Sequence, residues 1–298
     1  MAGAGIKEIK NRIGSVQSTK QVTKAMELVS SSKMRKAKDR ALASRPYFNT
    51  MYNTVKDIAT NTRGVRDPFL KQREVKNKCY IVIAGDRGLA GGYNSNIFKL
   101  TTAHMDGKQE KVMTVGKKAT EFFQKRGYDI VAAEESVEKC DYDRTLALAN
   151  TAMDLYKKGE IDELYICYTE FISPLTQTPK LMKVLPLAFD KEEAKSKENS
   201  GSRARVQYLP SPEAVLSYLI PKYVSGVVYD GVIESFASEQ SARRNAMKSA
   251  SDNADEMLST LELSYNRARQ TAVTQEITEI VGGVEALKIR RLGNGQRR

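Results

Sequence analysis

The chain has 298 residues and a formal net charge of +12, from 48 Lys and Arg against 36 Asp and Glu. With 28% charged residues and a mean hydropathy of -0.48, it can build a core but must expose much of its length. One histidine, His104, and three scattered cysteines, Cys79, Cys140 and Cys167, show no CxxC or CxxH spacing, which excludes a zinc centre built on such ligands and any Ser/His/Asp set argued from sequence.

His104 reads as a surface or loop residue, and the unclustered cysteines as small hydrophobes in a reducing compartment. No run approaches the roughly 20 apolar residues of a membrane span. The opening MAGAGIKEIKNRIG lacks the apolar region of a secretory signal. The expectation is a soluble chain that folds in the cytosol. Its charge is uneven. Residues 1–63 carry 13 Lys or Arg and 4 Asp or Glu, whereas 232–298 carry 10 against 9. The basic N-terminal segment suits an acidic counterpart: nucleic acid, anionic lipid or an acidic protein surface.

In chain order, the first predicted element is a helix. Neither Gly nor Pro occurs between Gly14 and Pro46, and Ile6, Ile9, Ile13 and Val16 recur at helical spacing. Val22, Met26 and Val29 continue at that spacing after a phase slip, which predicts an interrupted heptad. Pro46 predicts a kink or break, followed by a further helical stretch, YFNTMYNTVKDIATN. KCYIVIAGDRG reads as a short apolar run followed by a turn and EKVMTVG as another such run, KKATEFFQKRG and DRTLALANTAMDLYKKG as helical, and DELYICYTEFIS and KLMKVLPLAF as strand-like. Strands alternating with helices predict a mainly parallel α/β layer. DKEEAKSKENSGSRAR reads as an exposed linker. SPEAVLSYLIPKYVSG reads as a helix with Ser211 as N-cap and Pro212 in its first turn.

From Val232 to Val281 there is neither Gly nor Pro. A helix of that length would run about 75 Å. Met247, Ala250, Ala254, Met257, Leu261, Tyr265, Ala268 and Ala272 form an alanine-rich seam for a second helix. The fold class that follows is α/β plus a long antiparallel coiled coil. Segments 1–63 and 211–288 form the helical shaft, 75–210 a central Rossmann-like α/β domain with a mainly parallel sheet, and 289–298 a basic tail.

The candidates for chemistry are weak. AGDRGLAGGYN follows a strand, where a phosphate-binding turn would sit. Position 87 is arginine rather than the second glycine of GxGxxG, and GK[ST] is absent. The stretch reads as a tight strand-to-helix turn, with Asp86 and Arg87 making local or partner contacts. Glu134–Glu135 and Glu192–Glu193 are adjacent pairs that do not converge on one substrate. Glu276 and Glu279 share a helix face but lack a nearby His or Cys, and suit a polar contact. The basic run KMRKAKDR keeps a nucleic-acid interaction open, without a helix-turn-helix signature or interleaved aromatics.

Three blocks resemble the gamma subunit of F-type ATP synthases. IKEIKNRIGSVQSTKQVTKAMELVSSSKMRKA is similar to the family's first shaft helix. GDRGLAGGYN is similar to its Asp-Arg-Gly-Leu-Cys-Gly-Gly block. ESFASEQSARRNAMKSASDNADEM with LSYNRARQTAVTQEITEIVGGVEAL resembles its second shaft helix. The resemblance implies a non-catalytic rotor shaft without a cofactor. Its terminal helices would turn inside a ring of alpha and beta subunits, and its α/β domain would meet the epsilon subunit and the membrane c-ring. Ion flow would turn the shaft and drive ATP synthesis. No nucleic acid or small-molecule substrate is implied.

By motif position, the resemblance assigns partner contact and coupling to Lys24, Met26, Arg87, Ala90, Arg243, Arg269, Gln270, Thr274, Glu276 and Glu279. The sequence departs from the family at Ala90, where cysteine is frequent, and at Val284, where alanine is usual, and the tail runs past the family's usual end. Without the two-cysteine insertion of chloroplast types, the resemblance implies a bacterial protein, peripheral on the cytoplasmic side of the cell membrane. The competing readings are a nucleotide-binding α/β enzyme with helical arms and a nucleic-acid-binding coiled coil.

Overall fold

The computed structural model describes residues 2–61, 67–187 and 208–295. The stretch expected as a linker at 190–205 lies outside them. The elements are α1 (Ala2–Asn61), β1 (Lys78–Ile83), α2 (Tyr93–His104), β2 (Lys111–Val115), α3 (Lys117–Lys125), β3 (Asp129–Glu134), α4 (Tyr142–Lys158), β4 (Glu163–Phe171), β5 (Gln177–Leu185) and α5 (Pro212–Gly295). The chain divides into two compact units: residues 1–27 with 247–298, and residues 28–246.

The first unit is an antiparallel helix pair. Lys20 meets Asp255, and three residues on in α1 the Thr23 and Ser251 hydroxyls lie 2.7 Å apart. On α1 the least exposed positions are Ile6, Ile9, Ile13, Val16, Lys20, Thr23 and Glu27, with Met26 beside them. On α5 they are Met247, Ser251, Ala254, Leu258, Leu261, Tyr265, Ala268 and Ala272. Both rows step alternately by three and four, the 3.5-residue period of a left-handed coiled coil.

This corrects the expected phase slip. Val22 and Val29 are 59% and 56% exposed. The period is unbroken, but it is carried through Lys20 and Thr23, so apolar residues alone do not trace it. Met257 likewise points outward, and Leu258 holds its place in the seam.

In the second unit, five strands form one sheet in the order β3-β2-β1-β4-β5. β1 pairs in parallel with β2 and β4, β2 with β3, and β5 closes the edge antiparallel to β4. Alternation along the strands divides the core into two faces. Tyr80, Val82, Val112, Tyr165 and Cys167 pack with α2 and α3 through Ile97, Phe98, Ala119 and Phe123. Cys79, Ile81, Ile83, Met113, Leu164 and Ile166 pack with α4 and with Val55, Ile58, Leu216, Ile220, Val224 and Val228 of the terminal helices. Burial pushes the Cys79 and Cys167 thiols up to about 12, so both are inert hydrophobes at neutral pH.

The terminal helices are antiparallel in this unit too. Arg45 pairs with Glu234, and the Phe48 and Tyr52 rings meet Tyr229 and Tyr223. Gly226 lets the helices close, since a Cβ there would stand 2.5 Å from the Phe48 ring. Pro46 lies inside α1 without ending it. The expected break fails because a proline removes one hydrogen bond, and packing along both flanks supplies far more than that bond.

The two C-terminal helical stretches are one element, α5, which passes Pro221, Gly226 and Gly231 and runs to Gly295, beyond the boundary expected at 288. Ser211 caps it through the Ala214 N–H at 3.2 Å. Helix α2 and strand β3 were not distinguished in the sequence: α2 opens directly from the glycine-rich turn, and β3 is only half-buried.

Candidate functional site: the glycine-rich turn and the faces of the terminal helices

In the second unit the turn 84–92 leaves the C-terminal end of β1, and the β4–β5 hairpin turn 172–176 leaves the end of the adjacent strand. In an open α/β sheet, ligands bind outside the carboxyl ends of the strands where the winding direction changes, here between β1 and β4. That position is filled by α5. The Ser235 Oγ accepts from the Thr169 N–H at 3.1 Å, and the Ser238 Oγ donates to the Thr169 carbonyl at 3.0 Å. The Ser241 Oγ and the Asn245 Nδ2 donate to the Pro174 carbonyl at 2.7 and 2.8 Å.

On the other side, Glu239 lies against Gly85. A Cβ at Gly85 would stand 2.7 Å from Glu239 Oε1. The Glu239 carboxylate receives Arg243 Nη2 at 2.6 Å, with side-chain exposures of 4% and 9%. The same Nη2 reaches the carbonyls of Arg87 and Gly88 at 3.4 and 3.3 Å. The place where a nucleotide phosphate would rest therefore holds the chain's own Glu239 side chain, already paired with Arg243. This removes the structural basis for a nucleotide site at AGDRGLAGGYN.

The turn itself is tied at every corner. Asp86 accepts from the Ser136 hydroxyl and the Val137 N–H at 2.8 and 2.9 Å. The Asn94 Oδ1 accepts from the Gly85 N–H at 2.8 Å. The Tyr93 hydroxyl donates to the Ser235 carbonyl at 3.0 Å, and burial raises the Tyr93 pKa far above its usual value. Arg87 is exposed and Ala90 is only 2% exposed. Arg243, expected at a partner contact, is a buried residue whose guanidinium is taken up by Glu239 and the turn. The run SFASEQSARRN holds Ser235, Ser238, Ser241 and Asn245 at helical spacing. That polar stripe in a Gly- and Pro-free stretch, 232–281, was the available signal, and Glu239 with the four of them was missed.

The basic run of α1 is placed in the same unit. Lys33, Lys36, Arg40 and Lys139 rim a groove of about 580 Å³ floored by Ala37, Val232, Ile233 and Phe236. Lys33 pairs with Glu138 at 2.7 Å.

In the first unit Lys24 is exposed and pairs with Glu27 at 3.0 Å, while Met26 is half-buried. Arg269, Gln270, Thr274, Glu276 and Glu279 are exposed on α5. Gln270 and Thr274 lie with Arg267, Gln275 and Thr278 along an open, shallow groove. The Gln275 amide donates to Glu279 at 3.0 Å, which gives Glu279 a local partner three residues from Glu276. Apart from half-buried Met26, these residues lie on exposed faces of the helix pair. Among the described residues, no group of His, Cys, Asp and Glu is placed to hold a metal ion.

A long antiparallel helix pair with exposed faces of mixed polar and apolar residues and a five-stranded α/β unit with its ligand crevice filled define a class of structural or coupling subunit. Solved structures bear out the fold. Euglena gracilis mitochondrial ATP synthase, in an OSCP/F1/c-ring assembly, contains a chain with a TM-score of 0.65 at 18% identity, over 96% of this chain and 95% of that one. A chain of the central stalk/c-ring of Tetrahymena thermophila mitochondrial ATP synthase gives 0.59 at 20% identity, over 77% and 99%.

The sequence profile described as ATP synthase matches residues 5–287. The ATP synthase gamma chain of Alkaliphilus metalliredigens is 46% identical over 288 residues, 96% of this chain and all of that one. The sodium ion specific gamma chain of Acetobacterium woodii is 45% identical over 297 residues, 95% and 98% of the two chains. The chain belongs to the ATP synthase gamma-chain family.

Proposed function

We propose that this chain is the central rotor shaft of a bacterial F-type ATP synthase, peripheral on the cytoplasmic face of the cell membrane. Its terminal helices turn inside a hexamer of alternating alpha and beta subunits, and its α/β unit meets the epsilon subunit and the membrane c-ring. Ion flow through the membrane sector turns the ring and shaft, and the asymmetric shaft drives the catalytic sites through synthesis or hydrolysis of ATP. The chain performs no chemistry itself. The observation that carries the reading is the uninterrupted 3.5-residue seam in both terminal helices, which yields a long helix pair whose outward side mixes polar residues with exposed Val273, Ile277, Ile280 and Val281, a surface suited to enclosure by other subunits.

Lys24, Met26, Arg87, Ala90, Arg243, Arg269, Gln270, Thr274, Glu276 and Glu279 serve contact and coupling in this reading. The basic rim of Lys33, Lys36 and Arg40 favours acidic surfaces on the surrounding subunits. No described helix is long and apolar enough to cross a membrane, which suits attachment through partners. The coupling ion is a property of the membrane subunits.

The test is co-expression of the alpha and beta subunits with and without this chain. One copy is expected to copurify with the hexamer, and ATP turnover to depend on it and to fall in Gln270→Ala. A hexamer that excludes the chain, or turns over identically without it, overturns the reading.

A further inference from the structure

Leu89 is the one described non-glycine residue with a positive φ, 61°, and it is 66% exposed. A leucine in the left-handed region is strained and persists only where its surroundings impose it. Its side chain repays nothing through burial. Two glycines of the turn, Gly88 and Gly91, have open space where a Cβ would be, so crowding does not force the conformation.

What imposes it is polar. The carbonyls that immediately precede Leu89, those of Arg87 and Gly88, both receive the Arg243 guanidinium, at 3.4 and 3.3 Å. Glu239 fixes that guanidinium at 2.6 Å and fills the space beside Gly85 at the start of the turn. Ala90, directly after Leu89, is buried and anchors the far side. A buried ion pair is costly to desolvate and is weak evidence of added stability. Here its geometry is spent on two backbone carbonyls of an exposed turn.

We propose that Glu239 and Arg243 are positioning residues that act through the 85–91 turn: they hold Leu89 in its strained, outward conformation as a rigid contact point toward the surrounding subunit ring. The proposal rests on the rotor-shaft reading above. It also gives Arg243 a role consistent with its burial, one that acts on coupling through the turn in place of the direct contact.

The test uses the complete complex in sealed vesicles, measuring ions pumped per ATP hydrolysed, together with amide exchange of the turn. Arg243→Gln should raise exchange at 87–91 by about tenfold and lower the pumping ratio. Arg243→Lys keeps the charge beside Glu239, but its ammonium sits one bond short of the Nη2 that reaches both carbonyls, and it should fall between wild type and Arg243→Gln in both readouts. If Arg243→Gln does not fold, Arg243→Lys decides. Leu89→Gly relieves the strain, so the chain's melting temperature should hold or rise, while the pumping ratio falls.

Adding Arg243→Gln to Leu89→Gly should lower the ratio no further, because both act through one contact. Unchanged exchange at 87–91 in the Arg243 variants overturns the positioning role. A wild-type pumping ratio in Leu89→Gly overturns the contact. A wild-type chain on which hydrolysis does not depend rejects the rotor reading itself, an outcome distinct from either.

Discussion

Glu234 shows how a single side chain carries the conflict between burial and charge. It is 8% exposed on α5. Burial, then Asp230 and Glu170, push its pKa up to about 7, and Arg45 at 3.3 Å offsets only part of this. The native state therefore holds a proton that the unfolded chain releases near the ordinary glutamate value. Since the folded pKa is the higher one, stability falls as pH rises between about 4.5 and 7, and the full penalty is present above that. Glu234→Gln should remove that slope and stabilise the chain at pH 8 by up to about 3 kcal/mol, less whatever the Arg45 pairing contributes. Urea unfolding at pH 5 and pH 8 would check this, and an equal wild-type-to-variant difference at both pH values would reject it.

At the scale of the element, the seam of the helix pair was legible only in part. Ile6, Ile9, Ile13 and Val16 announce it. Beyond Val16 the hydrophobic pattern points to Val22 and Val29, and the buried row runs through Lys20 and Thr23. Hydrophobicity locates a buried face when burial is the only use of an apolar residue; a helix with a second surface to present need not obey it. The register is testable in the isolated chain. Val22→Lys should change unfolding free energy by less than about 0.5 kcal/mol. Met247→Lys, at a position 5% exposed, should cost at least about 2 kcal/mol. Equal losses in urea midpoint would contradict the assigned seam.

For the whole molecule, stability is unevenly divided between the two units. The largest fully buried side chains, including Tyr80, Tyr156, Phe123 and Ile166, all belong to residues 28–246. The seam of the helix pair uses Ala, Ser and Thr at many of its positions, which bury little apolar area. Amides of β1 and β4 are therefore expected to exchange only through unfolding of their unit, and those of residues 5–20 and 258–285 faster by orders of magnitude. Native-state hydrogen exchange on the isolated chain would show it, and uniform protection would refute it. A helix pair marginal by itself is consistent with a part that works enclosed by other subunits.

The sequence by itself determined the long helices, the parallel layer, the family and the element types other than α2 and β3, because periodicity, Gly and Pro spacing and motif order are properties of short or contiguous stretches. The same local signals could not show that Pro46 leaves α1 unbroken, since a local penalty is outvoted by packing along the helix. Nor could they show that Arg243, 155 residues beyond Gly88, reaches into the glycine-rich turn. Whether a polar residue faces a partner or plugs a crevice depends on which distant backbone groups the fold brings within about 3 Å of it, and only the tertiary structure decides that.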